Sequence, residues 1–306
     1  MFKLGLGIFQ GATLEMSIEF LQHVVGKNGP EPHQYGDLNS AALKLHQLHE
    51  IGELDSANVN EIRQLFGDAF SIETMQGFAL TKPHGYAGDF ELIDRIYLKH
   101  KTKNLTLRNW DKFFHDQPAA RAVRNRKQYF SEIVDRTVDK FPEAEILNIA
   151  SGPGRCMKSW MDNNPNNSVK IDCIELDPNA IEYSKQLNRQ YLNQINFERK
   201  NLLRYEPKKR YSLIWASGIF DYFDDDTFRK LVHKLLPAVE SGGAMVIGNF
   251  AEGNPNRPYM ELFGEWVLHH RSKEQLVNLC SSIGEPKNIW VESEAEGVNH
   301  FLHIEI

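Results

Sequence analysis

The residues best suited to chemistry gather where a hydrophobic run meets a turn of small side chains. Ile146 to Arg155 reads ILNIASGPGR. Ala150, Ser151, Gly152, Pro153 and Gly154 leave backbone that a nucleotide can approach closely. A triphosphate cradle needs GxxxxGK followed by Ser or Thr, and that Lys and hydroxyl are missing. A dinucleotide fingerprint needs GxGxxG. Depending on the alignment, Arg155 or Met157 takes the third position, and neither allows the close helix–strand packing that the third Gly serves. A nucleoside carrying a zwitterionic tail suits the turn better. Glu175 closes a second apolar run in CIELDPNAI, about 20 residues past the turn, where a carboxylate can accept both ribose hydroxyls. Asn201, in ERKNLL, could hydrogen-bond an adenine amino group. A further run ends in IWASGIFDYF, whose loop would face the tail.

These residues need rigid elements to position them. From residue 1 to about 140 the pattern is helical. Leu14, Ile18, Leu21 and Val25 recur at spacings of three and four, as do Leu38, Ala41, Leu45, Leu48 and Ile51. Asp55 and Ser56 can cap ANVNEIRQLF, and Asp89 can cap FELIDRIYLKH. Trp110, Phe113 and Phe114 read as core. After Pro142 short apolar strands alternate with helices: EILNIA, VKIDCIEL, INFERKN, YSLIWAS, GAMVIGNF, NIWVES and HFLHIEI. Asp177-Pro178 and Asp224–Asp226 read as helix starts. The alternation predicts an α/β fold with a Rossmann-like, doubly wound, mostly parallel sheet. EAEGVN suits a hairpin and so puts one antiparallel strand at or near an edge. The expected division is a helical N-terminal cap over residues 1–140 and an α/β domain over 141–306.

Bulk properties exclude some classes. The chain has 306 residues, 41% of them hydrophobic, with a formal net charge of −6. That balance argues against a chain built to coat nucleic acid. Its three cysteines, Cys156, Cys173 and Cys280, form no CxxC pair and suit free thiols in a reducing compartment. No apolar run approaches the ~18 residues of a membrane span, and MFKLGLGIFQGATLEM lacks a cleavage site. A cytoplasmic protein is expected. His46, His49, Glu50 and Glu53 share a helical spacing that could bind a metal. No second cluster completes such a site, so a solvated helix face and no metal are expected. His300 and His303 fall on opposite faces of a strand.

The motifs ILNIASGPGR, IELDP, FERKNL and YSLIWASGIFDYF stand in the order found in class I S-adenosylmethionine-dependent methyltransferases, which the chain resembles over roughly residues 144 to 306. Ala150 replaces the usual first glycine, Asn148 the usual acidic residue before it, and Asn201 the usual adenine-side Asp. TKPHGYAGDFELIDRIY, AVRNRKQYF and GNFAEGNPNRPYMELFGEWVLHHRSKEQL extend the resemblance over most of residues 75 to 306. There the chain is similar to bacterial methyltransferases of 3-hydroxypalmitic acid methyl ester synthesis and to carboxyl methyltransferases found with lanthipeptides. The resemblance implies S-adenosylmethionine as cofactor and S-adenosylhomocysteine as product. It assigns Ala150, Ser151, Gly152, Pro153, Gly154, Glu175, Leu176, Asn201, Leu202, Ser217 and Gly218 to cofactor binding. It further implies methyl transfer to a carboxylate, on a peptide C-terminus or a fatty or hydroxy acid; the charge and the lack of a long apolar run lead to the expectation of no nucleic acid partner and no membrane span.

An ionised carboxylate needs no general base, whereas a hydroxyl or amine acceptor does. It needs cationic or hydrogen-bonding groups that orient one oxygen. His84 and Tyr86, between Gly85 and Gly88 in a tight turn, are the catalytic candidates. Arg121, Arg124, Arg126, His269 and Arg271 are candidates for holding the acceptor or the methionine carboxylate of the cofactor, since bidentate arginine pairing suits either. Two alternatives stay open: methylation of a hydroxyl or amine on a small molecule, and a fold that binds S-adenosylmethionine without catalysis.

Overall fold

The computed structural model describes residues 8–281, 284 and 286–306, with side chains from Leu14 onward. The start of the N-terminal stretch weighed as a leader lies outside them. Helices α1 (Ile8–Gly26), α2 (Tyr35–Glu50), α3 (Ser56–Gln64), α4 (Met75–Thr81), α5 (Phe90–Leu98), α6 (Arg108–Asp116) and α7 (Pro118–Lys140) precede the first strand. Then come β1 (Glu145–Ile149), α8 (Arg155–Asn163), β2 (Lys170–Glu175), α9 (Pro178–Leu187), β3 (Ile195–Arg199), β4 (Tyr211–Ala216) and α10 (Asp225–Leu235). The chain continues through β5 (Val239–Phe250), α11 (Arg257–Gly264), α12 (Lys273–Asn278), β6 (Asn288–Ser293) and β7 (Asn299–Glu305). Among the described residues, no helix is long and apolar enough to cross a membrane.

Two compact units divide the chain, residues 1–120 with 255–267, and residues 121–254 with 268–306. This corrects the expected boundary at 140 twice over. Nearly all of α7 belongs with the sheet, and α11 belongs with the N-terminal helices although it follows β5.

The helical unit packs Leu14, Ile18, Leu21, Val24, Leu38, Leu45 and Leu48 with Phe66, Trp110, Phe113, Tyr259, Leu262 and Phe263. Val24 is buried in this cluster, and the expected Val25 packs against it half-buried. Ile51 is 63% exposed, because α2 ends at Glu50 and Ile51 is its C-cap residue. His46 is no solvated side chain: it is buried, and its Nε2 lies 2.7 Å from Glu261 Oε2 of α11. His49 Nδ1 lies 2.6 Å from the Leu54 carbonyl. Asp55 and Asp89 cap α3 and α5 through the amides of Asn58 and Leu92, each at 2.8 Å.

In the second unit the strand order is β3-β2-β1-β4-β5-β7-β6. The first five strands are parallel, and β7 runs antiparallel between β5 and β6. Alternate residues feed opposite faces. Leu147, Ile149, Ile214, Ala216, Met245, Ile247 and Leu302 join one buried cluster, while Ile146, Leu213, Trp215, Val246 and Phe301 join the other. Both faces are therefore apolar, which explains why the strands read as continuous hydrophobic runs. The order reverses between β1 and β4, and in open α/β sheets such a switch point opens a crevice beyond the carboxyl ends of the strands.

Candidate active site

The turn after β1 lies at that switch point. Ala150 takes φ +51°, a left-handed conformation that costs a residue with a Cβ roughly 1–2 kcal/mol. Gly152 follows at φ +53°, and a Cβ built on it meets nothing within 4 Å. Gly154, at φ +71°, caps the start of α8, and a Cβ there would lie 2.0 Å from Ser184 Oγ and 2.8 Å from Asn188 Nδ2. The two glycines thus do different things. Gly154 lets α9 approach closely, which is the packing job that sequence reading sought at Arg155 or Met157. Gly152 leaves open space beside bare backbone.

Glu175, at the end of β2, reaches back to this turn. Its Oε2 accepts the Gly152 amide at 2.9 Å, and its Oε1 accepts those of Leu176 and Asp177 at 2.7 and 3.0 Å. A carboxylate offers about four acceptor positions, so three backbone amides leave room for one more donor. A ribose diol contacting both oxygens would share them with the amides. Leu176 is 55% exposed beside it. The Glu175 carbonyl accepts the Lys200 amide at 2.9 Å, which brings the end of β3 alongside. There Asn201 Oδ1 accepts the Leu203 amide at 2.8 Å, so an adenine amino group would share that oxygen. Leu202 is buried in the core.

Beyond β4, Ser217 and Gly218 lie under Arg126 of α7. Arg126 is buried, its Nη1 donates to the Ser217 carbonyl at 3.0 Å, and a Cβ at Gly218 would sit 3.0 Å from that nitrogen. The other cations behave differently. Arg121 is engaged bidentately by Glu296, at 2.9 and 2.8 Å, and Arg124 also acts on the Glu296 carboxylate. Arg271 is buried and donates to Asn249 Oδ1 at 2.8 Å, to the carbonyls of Phe220 and Phe223 at 3.4 and 2.6 Å, and to Asp225 at 3.0 Å. This is a correction: a guanidinium so engaged braces the loop after β4 and does not stand open for an acceptor carboxylate. His269 has an exposed side chain, and its backbone amide donates to the Asp221 carbonyl at 2.7 Å.

His84 and Tyr86 belong to the helical unit, in the turn between α4 and α5, where Gly85 and Gly88 take φ +85° and +64°. His84 Nε2 lies 3.0 Å from Glu91 Oε2, and its ring packs on Phe90. Tyr86 is 39% exposed.

Sequence reading passed over Asp221, which lies in the short 3-10 turn Phe220–Tyr222 beyond Gly218 and is buried with Oδ1 unbonded. Burial pushes its carboxyl up to about 6, with Arg126 and Arg271 pulling it partly back. The available signal was a lone acid inside the apolar run GIFDYF.

The fold and the cradle define a doubly wound α/β domain with a nucleoside-type crevice at the β1–β4 switch point. An open glycine, a braced carboxylate and an exposed leucine there fit an adenosyl group. Residues 146–243 match the family described as methyltransferase domain. The chain is 28% identical over 117 residues to malonyl-[acyl-carrier protein] O-methyltransferase 1 of Ilyobacter polytropus, a match spanning 38% of this chain and 40% of that relative. In fold it is similar to a protein of Bordetella parapertussis described as a possible exported protein, with TM-score 0.65, 18% identity and 96% of each chain covered. It is also similar to magnesium protoporphyrin IX methyltransferase of Synechocystis PCC 6803, with TM-score 0.53, 9% identity, and 76% of this chain and all of that one covered. Residues 146–243 therefore form a methyltransferase domain, with S-adenosylmethionine as its cofactor.

Proposed function

We propose that the protein transfers the methyl group of S-adenosylmethionine to a carboxylate oxygen, making a methyl ester. The observation that carries methyl transfer is the cradle at the switch point, with Gly152 open and Glu175 held beside it. In this reading Glu175 takes the ribose, Leu176 packs on the adenine, Asn201 bonds its amino group, and Ser217 and Gly218 border the methionine tail. Bound S-adenosylmethionine supplies an already activated methyl group, which leaves the protein to position the acceptor and exclude water. A carboxylate acceptor arrives ionised and needs no base. Arg126 keeps positive charge at the end of β4, which favours an anionic acceptor or the methionine carboxylate. The name of the Ilyobacter relative, which acts on a malonyl group, points the same way. His84 and Tyr86 are the side chains proposed to orient the acceptor.

The test is incubation with methyl-labelled S-adenosylmethionine and a panel of peptides, fatty acids, carrier-bound acids, alcohols and amines. The expected label is released as methanol by mild base. Label confined to base-stable products overturns the ester. If Arg126→Ala, His84→Ala and Tyr86→Phe all leave turnover and cofactor affinity unchanged, the proposed residues are the wrong ones.

A further inference from the structure

The segments that follow β2 and β3 are each held at their carbonyls by a cation. Arg199 is the last residue of β3, the edge strand, and stands in register with Glu175. Its Nε donates to the Leu176 carbonyl at 3.2 Å. The Leu176 amide already donates to Glu175 Oε1 at 2.7 Å. Side chains therefore fix both polar groups of the Leu176 backbone, while its own side chain stays exposed. The segment after β3 repeats the pattern. Asn201 Oδ1 accepts the Leu203 amide at 2.8 Å, and Lys234 of α10 donates from Nζ to the carbonyls of Leu202 and Leu203 at 2.9 and 3.0 Å. Among the described residues, neither Arg199 nor Lys234 is paired with a carboxylate, and both are directed at backbone carbonyls.

Folding makes little call on these bonds. β3 is paired with β2 along five residues without them, and an exposed carbonyl can be satisfied by water as well as by a cation. What they add is order in two segments that lie past the end of the ladder, where connecting backbone is ordinarily mobile. A ligand that packs on such segments bears the cost of ordering them unless they are ordered beforehand. The two braces lie at one end of the site. Leu176 and Asn201 are the residues read above as meeting the adenine, whereas the tail end, at Ser217, is served by Arg126.

We propose that Arg199 and Lys234 are positioning residues of the nucleoside site: by holding the carbonyls of Leu176 and of Leu202 and Leu203, they set the two segments that receive the adenine before it arrives. The inference rests on the cofactor assignment above and concerns its adenosine half alone. The methionine tail and the methyl acceptor play no part in it.

The test is calorimetric titration of the full chain with S-adenosylhomocysteine and with methylthioadenosine, which keeps the adenosine and lacks the charged amino acid tail. Arg199→Met and Lys234→Met keep an aliphatic stem and lose the donor. Each should bind both ligands about three- to tenfold more weakly, with an unchanged melting curve. Arg199→Lys, which keeps a donor, should recover most of the affinity. Because each cation acts through the segment it holds, Arg199→Met should cost little more in a Leu176→Ala background, and Lys234→Met little more in an Asn201→Ala background. Unchanged affinity, losses that add in full in the double variants, or a melting curve that falls in step with affinity overturns the proposal. A loss confined to S-adenosylhomocysteine also overturns it, since that would be attraction between the cation and the tail carboxylate. If one variant behaves as expected and the other does not, the second residue loses its assignment. Tight wild-type binding with indifferent variants removes this proposal alone, whereas a wild type that binds neither ligand removes the cofactor assignment as well.

Discussion

Gly152 and Gly154, on either side of Pro153, show how one turn divides its labour. Gly154→Ala would put a methyl group 2.0 Å from Ser184 Oγ at φ +71°. Overpacking and left-handed strain together should cost about 2–4 kcal/mol of stability, read as a fall in urea midpoint. Gly152→Ala meets open space at φ +53°, so its stability cost should be only about 1 kcal/mol. Its Cβ would stand on the ligand side, however, and S-adenosylhomocysteine affinity should drop at least tenfold. If both variants lose the same stability and the same affinity, the division is wrong. Ala150, at φ +51°, is the converse case. Replacing it with Gly removes strain and should stabilise the fold by about 0.5–1 kcal/mol. The sequence showed where the turn lies, because small residues after an apolar run have few other uses. It did not show which glycine packs and which one opens, since that depends on α9 arriving from thirty residues downstream.

At the scale of elements, α7 is tied to the β6–β7 hairpin by a compact polar network. The Tyr129 hydroxyl lies between Glu292 Oε2 and His303 Nε2, His303 stacks on Trp290 at 4.6 Å, and Tyr129 stacks on Phe301 at 4.0 Å. Because Arg126 sits one turn earlier on α7, this network helps set where its guanidinium falls. Tyr129→Phe keeps the stacking and removes the hydroxyl, leaving two partners short of a bond. It should cost about 1–3 kcal/mol in urea unfolding, and a loss below 0.5 kcal/mol would show the network to be idle. All seven strands were legible in the sequence, since most are apolar runs bounded by helices or turns of polar residues. The unit to which α11 belongs was not. Tyr259, Leu262 and Phe263 carry ordinary helical periodicity, and nothing local says that they pack with Phe66 and Phe113. Sheet order hid the hairpin's placement in the same way: EAEGVN marks the turn but not that β7 pairs with β5 along seven residues.

Across the whole molecule, buried titratable groups act on stability in opposing directions. Asp89, Asp111 and Asp221 all have carboxyls raised chiefly by burial. Each binds a proton more tightly folded than unfolded, so each lowers stability as pH rises above the ordinary value of 3.8 toward its folded value. His100, His300 and His303 have imidazoles lowered chiefly by burial, His303 to about 4. Each binds a proton more tightly unfolded, so each raises stability as pH climbs from its folded value toward 6.5. Between pH 5 and 6 Asp221, raised to about 6, and His303, lowered to about 4, act in opposite directions, and the depressed Glu91, Glu261, Glu265 and Glu292 act mainly below their ordinary 4.5. One fully displaced group changes stability by up to about 1.4 kcal/mol per pH unit. The contributions of Asp221 and His303 should therefore oppose each other over this interval. Asp221→Asn removes one downward contribution, so its stability should rise by roughly 1 kcal/mol from pH 5 to 6 relative to wild type. His303→Gln removes an upward one, and its stability should fall by a similar amount. Urea midpoints of the three proteins at pH 5.0, 5.5 and 6.0 check the signs. Parallel profiles would mean that neither buried group titrates in this interval.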